Sequence, residues 1–310
     1  MKNVILNKLK TGVCTFALAT LIIGSSSVVY AENVDTTVAA NADVPIEQNV
    51  QDQTAEKRKE IVNEAVTALR ETHNALKALD EEKSKEALSA LEKATGKLEI
   101  ILARDPTLAL APTGVTAVTQ NVLGSLKAVK DARKDAKNML DDGKVQEARR
   151  LLRGLASETV ISTTNIPLAT YPLAIKSAAK LIDEGKTEEA KNVLQTALNT
   201  MVITQKVIPL PVVSAEALLA EAETLAENKE RTEDENQRLS GLLEAAEVEI
   251  KFAQALGYGQ KKDFERFYDE IGAIQEKTSG GKSGVGFFDK IKGFMGSMTT
   301  DSQPAQNKAN

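Results

Sequence analysis

Apolar residues recur at spacings of three and four along most of this chain. Val62, Ala65, Leu69, Thr72, Leu76 and Leu79 fall on one helical face, and Leu88, Leu91, Thr95, Leu98 and Leu102 repeat the pattern after a polar break at residues 80–84. Together they predict an αα-hairpin. Later stripes run through Leu239, Leu243, Ala246, Ile250 and Ala253, then through Phe264, Phe267, Ile271 and Ile274. Thr232-x-x-Glu235 predicts a capping box at the start of the first of these.

The same texture contains an internal duplication with a 42-residue period, over about residues 125–210. Leu140-Asp141-Asp142-Gly143-Lys144, with Glu147-Ala148 and Leu152, returns as Ile182-Asp183-Glu184-Gly185-Lys186, with Glu189-Ala190 and Leu194. The offset also carries Val160-Ile161 onto Val202-Ile203 and Ile166-Pro167-Leu168 onto Ile208-Pro209-Leu210. Each unit reads as a helix ended by a left-handed glycine, a second helix with acids near its start, and an extended exit stiffened by proline. One hairpin cannot bury its own stripe, so the predicted fold is all-α: a compact bundle of antiparallel helical hairpins.

The ends have a different texture. Three lysines, an apolar run over residues 13–23 and Val29-Tyr30-Ala31 have the pattern of a secretory signal peptide cleaved after Ala31; the run is too short to span a bilayer. Residues 32–54 lack Lys and Arg and read as a disordered acidic leader, ahead of a helical domain over 55–278. Residues 279–286 read as a flexible Gly-rich linker, 287–298 as an amphipathic Phe-rich helix, and 299–310 as a disordered tail.

Composition narrows the chemistry. The net charge of −5 becomes −8 without residues 1–31, which disfavours nucleic-acid binding. His73 is the one histidine and Cys14 the one cysteine, so Cys/His metal sites and Cys–His catalysis are not expected, nor is any cofactor. Ser177-x-x-Lys180 and Lys282-Ser283-Gly284 match two short elements of penicillin-recognising enzymes, but the third, Ser-Asp-Asn, is missing.

The segments Val160–Pro172 and Val207–Pro211, with Leu181-Ile182-Asp183-Glu184-Gly185-Lys186 and Glu189-Ala190-Lys191 between them, carry a resemblance. At these residues, and over about residues 55–256, the chain resembles the bacterial YfdX family. The resemblance implies an exported, largely periplasmic helical protein, often oligomeric, associated with acid, heat or other envelope stress. It supplies no catalytic residues to carry over.

The expected function is therefore that of a non-enzymatic periplasmic stress-response protein, acting as an oligomeric binding or chaperone-like module. Small-molecule binding by the Pro-lined connectors is the alternative, and a Ser-Lys hydrolase at Ser177 and Lys180 a remote one. The candidate ligand or client surface is Thr163, Thr164, Ile166, Pro167, Tyr171, Ile208, Pro209 and Leu210; the competing reading has these apolar residues plug the bundle. Phe287, Phe288, Ile291, Phe294 and Met295 are candidates for weak membrane-surface or partner contact, against docking on their own domain. Expected partners are further copies of the chain and unfolded proteins or small molecules.

Overall fold

The computed structural model describes residues 36–122 and 124–298. After helix α1 (Thr36–Lys59), one order of elements occurs three times: helix, turn, helix, strand. The first set is α2 (Asn63–Asp80), α3 (Ser84–Arg104) and β1 (Leu110–Gln120), and the second is α4 (Leu126–Asp141), α5 (Val145–Arg153) and β2 (Glu158–Pro167). The third is α6 (Tyr171–Asp183), α7 (Thr187–Asn199) and β3 (Val202–Pro209). Helices α8 (Leu210–Glu227), α9 (Glu233–Leu256), α10 (Lys261–Thr278) and α11 (Asp289–Met298) follow.

The three hairpins turn in the same way. Each reverses on one left-handed residue: Glu82 (φ 58°), Gly143 (φ 75°) and Gly185 (φ 75°). The lysine after it donates its backbone N–H five residues back, Lys83 to Ala78 at 2.8 Å, Lys144 to Met139 at 2.7 Å and Lys186 to Leu181 at 2.8 Å. These bonds satisfy carbonyls that a helix end leaves open. The same lysines pair with Glu81, Asp142 and Glu184 through their side chains. Five residues past the left-handed position stands a fully buried alanine, Ala87, Ala148 or Ala190, whose small size lets the paired helices approach.

The fold is predominantly helical, but the proline exits are more than connectors. They form a three-stranded antiparallel sheet in the order β1-β2-β3. β2 pairs Val160 with Val118 on one side and with Val207 on the other, and a bulge interrupts β1 between Pro112 and Gly114. Prolines sit where a sheet tolerates them, at the bulge and at the ends of β2 and β3. The next residue after each terminal proline closes the ladder: Leu168 N–H donates to Ala109 O and Leu210 N–H to Ser157 O.

Hairpins one and three pack face to face, α2 on α7 and α3 on α6, around Leu79, Leu91, Leu98, Ile175, Ile182 and Leu194. A second core joins α8 to α11 through Leu242, Ile250, Phe264, Phe267, Phe288 and Ile291. A third, smaller one lies between the sheet and α1 and α8, where Ile161, Ile208 and Val213 meet Ile46.

At the ends two expectations are corrected, and the choice left open for the Phe-rich helix is decided in favour of docking on its own domain. The leader, read as disordered, is helical from Thr36, because Ile46, Val50 and Thr54 fall on one face that packs against α8 and the sheet. The Gly-rich linker is fixed: Arg231 donates to the carbonyl oxygens of Leu225, Ala226, Asn228 and Lys282 and to Asn236 Oδ1, and Gly284 N–H donates to Ala226 O. Helix α11 spends its apolar face on its own domain. Phe288, Ile291 and Met295 are buried in the C-terminal core and Phe287 packs against it, which removes them as a membrane surface; the side chain of Phe294 lies outside the described residues. The signal-peptide and tail segments, residues 1–31 and 299–310, lie outside the described residues as well. The capping box forms as predicted, Thr232 with Glu235.

Glu82 holds a conformation that its two counterparts give to glycine. A left-handed non-glycine residue costs about 1–2 kcal/mol, partly offset in a glycine variant by its freer unfolded chain. Glu82→Gly is thus expected to raise stability to urea by about 1 kcal/mol; a loss would show that the Glu82 side chain contributes more than its backbone strain.

Candidate functional site

The sheet has two unlike faces, set by the alternation of side chains along its strands. One is covered: Val115, Ala117, Ile161 and Ile208 lie beneath Ile46 of α1 and Val213 of α8. On the other, the register aligns Thr116, Ser162 and Gln205 in one row, Val118, Val160 and Val207 in the next, and Gly114, Thr164 and Ile203 in a third. Where this face runs under the helical hairpins, Ala111 and Ile166 are buried; beyond them it faces solvent, with Val118 67% and Ile203 58% exposed.

Several polar side chains of the sheet bond within the sheet itself. Asn165, almost wholly buried, donates Nδ2–H to Thr163 O at 2.9 Å, Val202 O at 3.1 Å and Thr204 Oγ1 at 3.3 Å, stitching β2 to β3. Thr113 Oγ1 donates to Thr164 O, and Thr119 shares a hydrogen bond with Thr159. Sequence reasoning passed over Asn165; the signal was an amide in the middle of a β-branched run.

The predicted ligand surface is core. Ile166 and Tyr171 are buried among the helices of hairpins one and three, and Ile208 lies in the core between the sheet and α8. Thr163, Pro209 and Leu210 are buried, while Thr164 and Pro167 are half-buried. The plugging alternative describes them correctly, because each proline exit ends by turning its apolar residues inward. A shallow open depression of about 400 Å³ lies between α6 and α7, lined by Thr170, Tyr171, Ala174, Val193, Thr196 and Thr200 among others; it takes in Tyr171 alone of the candidate set.

The Tyr171 hydroxyl is itself buried without a hydrogen-bond partner. Burial pushes the phenol above its ordinary range, and the neighbouring Thr72 hydroxyl opposes that shift. Thr72 sends its own proton to Ala68 O, and no donor–acceptor geometry closes between the two hydroxyls. Glu216, half-buried on α8, is perturbed as well. Burial alone pushes its carboxyl above the usual carboxylate range.

Ser177 and Lys180 are exposed on α6, and the Lys180 amine lies 3.9 Å from Glu184 rather than in a cleft beside Ser177. Lys282-Ser283-Gly284 occupies the loop after α10, not a strand. His73 is exposed on α2. Among the described residues no three acids, histidines or cysteines gather as a metal site, and no helix is long and apolar enough to cross a membrane.

Residues 68–207 match the family model described as YfdX protein. Over these residues the chain is similar to that family. That segment starts within α2 and ends in β3, so it takes in the three hairpins and the sheet and leaves out α1 and the α8–α11 lobe. A solved structure of YfdX from Salmonella Typhi is similar at 17% identity and a TM-score of 0.34, covering 48% of this chain and 93% of that one. None of the curated proteins matches.

Two variants test how these buried groups are used. Tyr171→Phe removes a hydroxyl with no partner, so stability should be unchanged or higher by up to about 1 kcal/mol; a loss of that size would reveal a bond to the phenol. Glu216 is raised, so its ionised form opposes folding above the folded pKa, and that penalty is relieved as pH falls through it, levelling off below the unfolded value of 4.5. Glu216→Gln should accordingly unfold at a higher temperature than wild type at pH 7, with the two converging toward pH 4.5.

Proposed function

We propose that this chain is an exported, non-enzymatic stress-response protein of the bacterial periplasm that holds extended apolar segments of non-native proteins on its open sheet face, and that it works as a homo-oligomer. The exposed Val118 and Ile203, with the half-buried Val160 and Val207 between the strands, carry the reading. β-branched side chains are stiff at χ1, so this surface loses little rotamer freedom when covered. Val118 and Ile203 stand on opposite edge strands, on either side of one polar row, two exposed apolar footholds for a single extended segment. Thr116, Ser162 and Gln205 cross the middle of the face and keep it wettable between encounters. β1 and β3 are the sheet's edges, and an extended client with alternating side chains matches an edge in backbone hydrogen bonding as well as in period.

The YfdX-like segment and the signal-peptide pattern at residues 1–31 support export and the stress association. The assay is suppression of light scattering by a heat- or acid-denatured model client. Full-length protein should suppress it, and Val118→Asp with Ile203→Asp should lose most of that effect while keeping the wild-type circular dichroism. Ile100→Asp, at an exposed apolar residue on α3 away from the sheet, should leave it intact. Equal suppression by the sheet-face variant would overturn the reading.

A further inference from the structure

The second helical hairpin has the docking face of the other two and, among the described residues, nothing to dock on. Three residues before the left-handed turn stand Leu79, Leu140 and Ile182, and nine after it stand Leu91, Leu152 and Leu194. In hairpins one and three all four of these side chains are buried in one shared core, so the two positions lie on the same side of a hairpin. In the second hairpin Leu140 is 48% and Leu152 44% exposed, and Val145 beside the turn is 53% exposed. The hairpin touches the body near the base of α4, where Arg133 donates to the carbonyls of Gln254 and Ala255 at the end of α9.

The way hairpins one and three meet says what belongs there. The first helix of each lies on the second helix of the other, the pairing a two-fold axis produces. An ion pair crosses that contact, from Asp80, two residues before the turn position, to Lys191, six residues after it, at 3.2 Å. The second hairpin carries both halves of this pair: Asp141 stands two before Gly143 and Arg149 six after it. Arg149 enters no ion pair among the described residues, and Asp141 is met only by Lys137 of its own helix, at 3.8 Å. A hairpin with apolar residues along one side and an acid and a cation at these two positions complements a copy of itself related by a two-fold axis.

We infer that a second copy of this chain docks on the α4–α5 hairpin about a two-fold axis, repeating between molecules the contact that hairpins one and three make within one. Leu140 and Val145 of each copy cover Leu152 of the other, and Asp141 pairs with Arg149 across the axis, twice. This gives the self-association proposed above its surface, and so rests on that reading.

The test is the mass of the full-length protein by sedimentation, with four variants at exposed positions. Wild type should sediment as a dimer or a multiple of one. Leu140→Glu with Leu152→Glu should fall to half that mass, and Asp141→Arg and Arg149→Asp should each weaken association at least tenfold. Asp141→Arg combined with Arg149→Asp should restore it, because the swap rebuilds both ion pairs in reverse, a rescue that general loss of structure cannot imitate. An oligomer unchanged by all four variants would overturn this surface and leave self-association standing. A monomeric wild type would remove both, including the case in which the hairpin instead carries the protein onto phosphatidylglycerol vesicles.

Discussion

Each of the three helical hairpins hands the chain to an extended segment of eight to eleven residues, and the peptide groups of that segment must find partners. They find them in one another. That requirement converts three local hairpins into one object, because β2 cannot pair until the hairpins on either side of it have brought β1 and β3 alongside. Once the sheet is closed, hairpins one and three are held face to face over one end of it, α1 and α8 cover its back, and the C-terminal lobe hangs from α8. The second hairpin, inserted between adjacent strands, is the one that this arrangement leaves projecting.

The helical architecture was legible because its signals are local. Stripes at spacings of three and four, a capping box at Thr232 and the turn motif around Gly143 and Gly185 need no knowledge of the rest of the chain. The first hairpin turn has the same geometry, yet the duplication stops short of it in sequence because Glu82 stands where the others have glycine, and a strained residue carries no compositional mark. The sheet was half legible. Val160, Ile161, Ile203 and the prolines announced extended chain, but pairing joins residues some forty positions apart, and the alternation that would have separated covered from open face is blurred by threonines on both. For α1 the misreading, and for α11 the open choice, lay in the surroundings. Whether an amphipathic helix faces solvent, lipid or its own domain depends on a surface built elsewhere in the chain.

The same distinction runs through the candidate site. Thr163, Thr164 and Tyr171 were reasonable ligand groups by type, but Thr163 is buried and Thr164 half-buried in the sheet, and Tyr171 is buried at the start of α6 between hairpins one and three. What remains available is the open sheet face, with Val118 and Ile203 exposed on either side of a polar row. Surface of that kind recognises shape and period rather than a particular functional group, and it suits many weak partners better than one tight one.

Arg231 has a bearing on conditions outside the fold. The acceptors of its guanidinium are neutral carbonyl and amide oxygens in three different segments. Concentrated electrolyte screens paired surface charges such as Lys191 with Asp80 but has little purchase on contacts of this sort. A brine-exposed molecule would hence keep its C-terminal lobe knotted to the α8–α9 turn while the seams between its hairpins slacken.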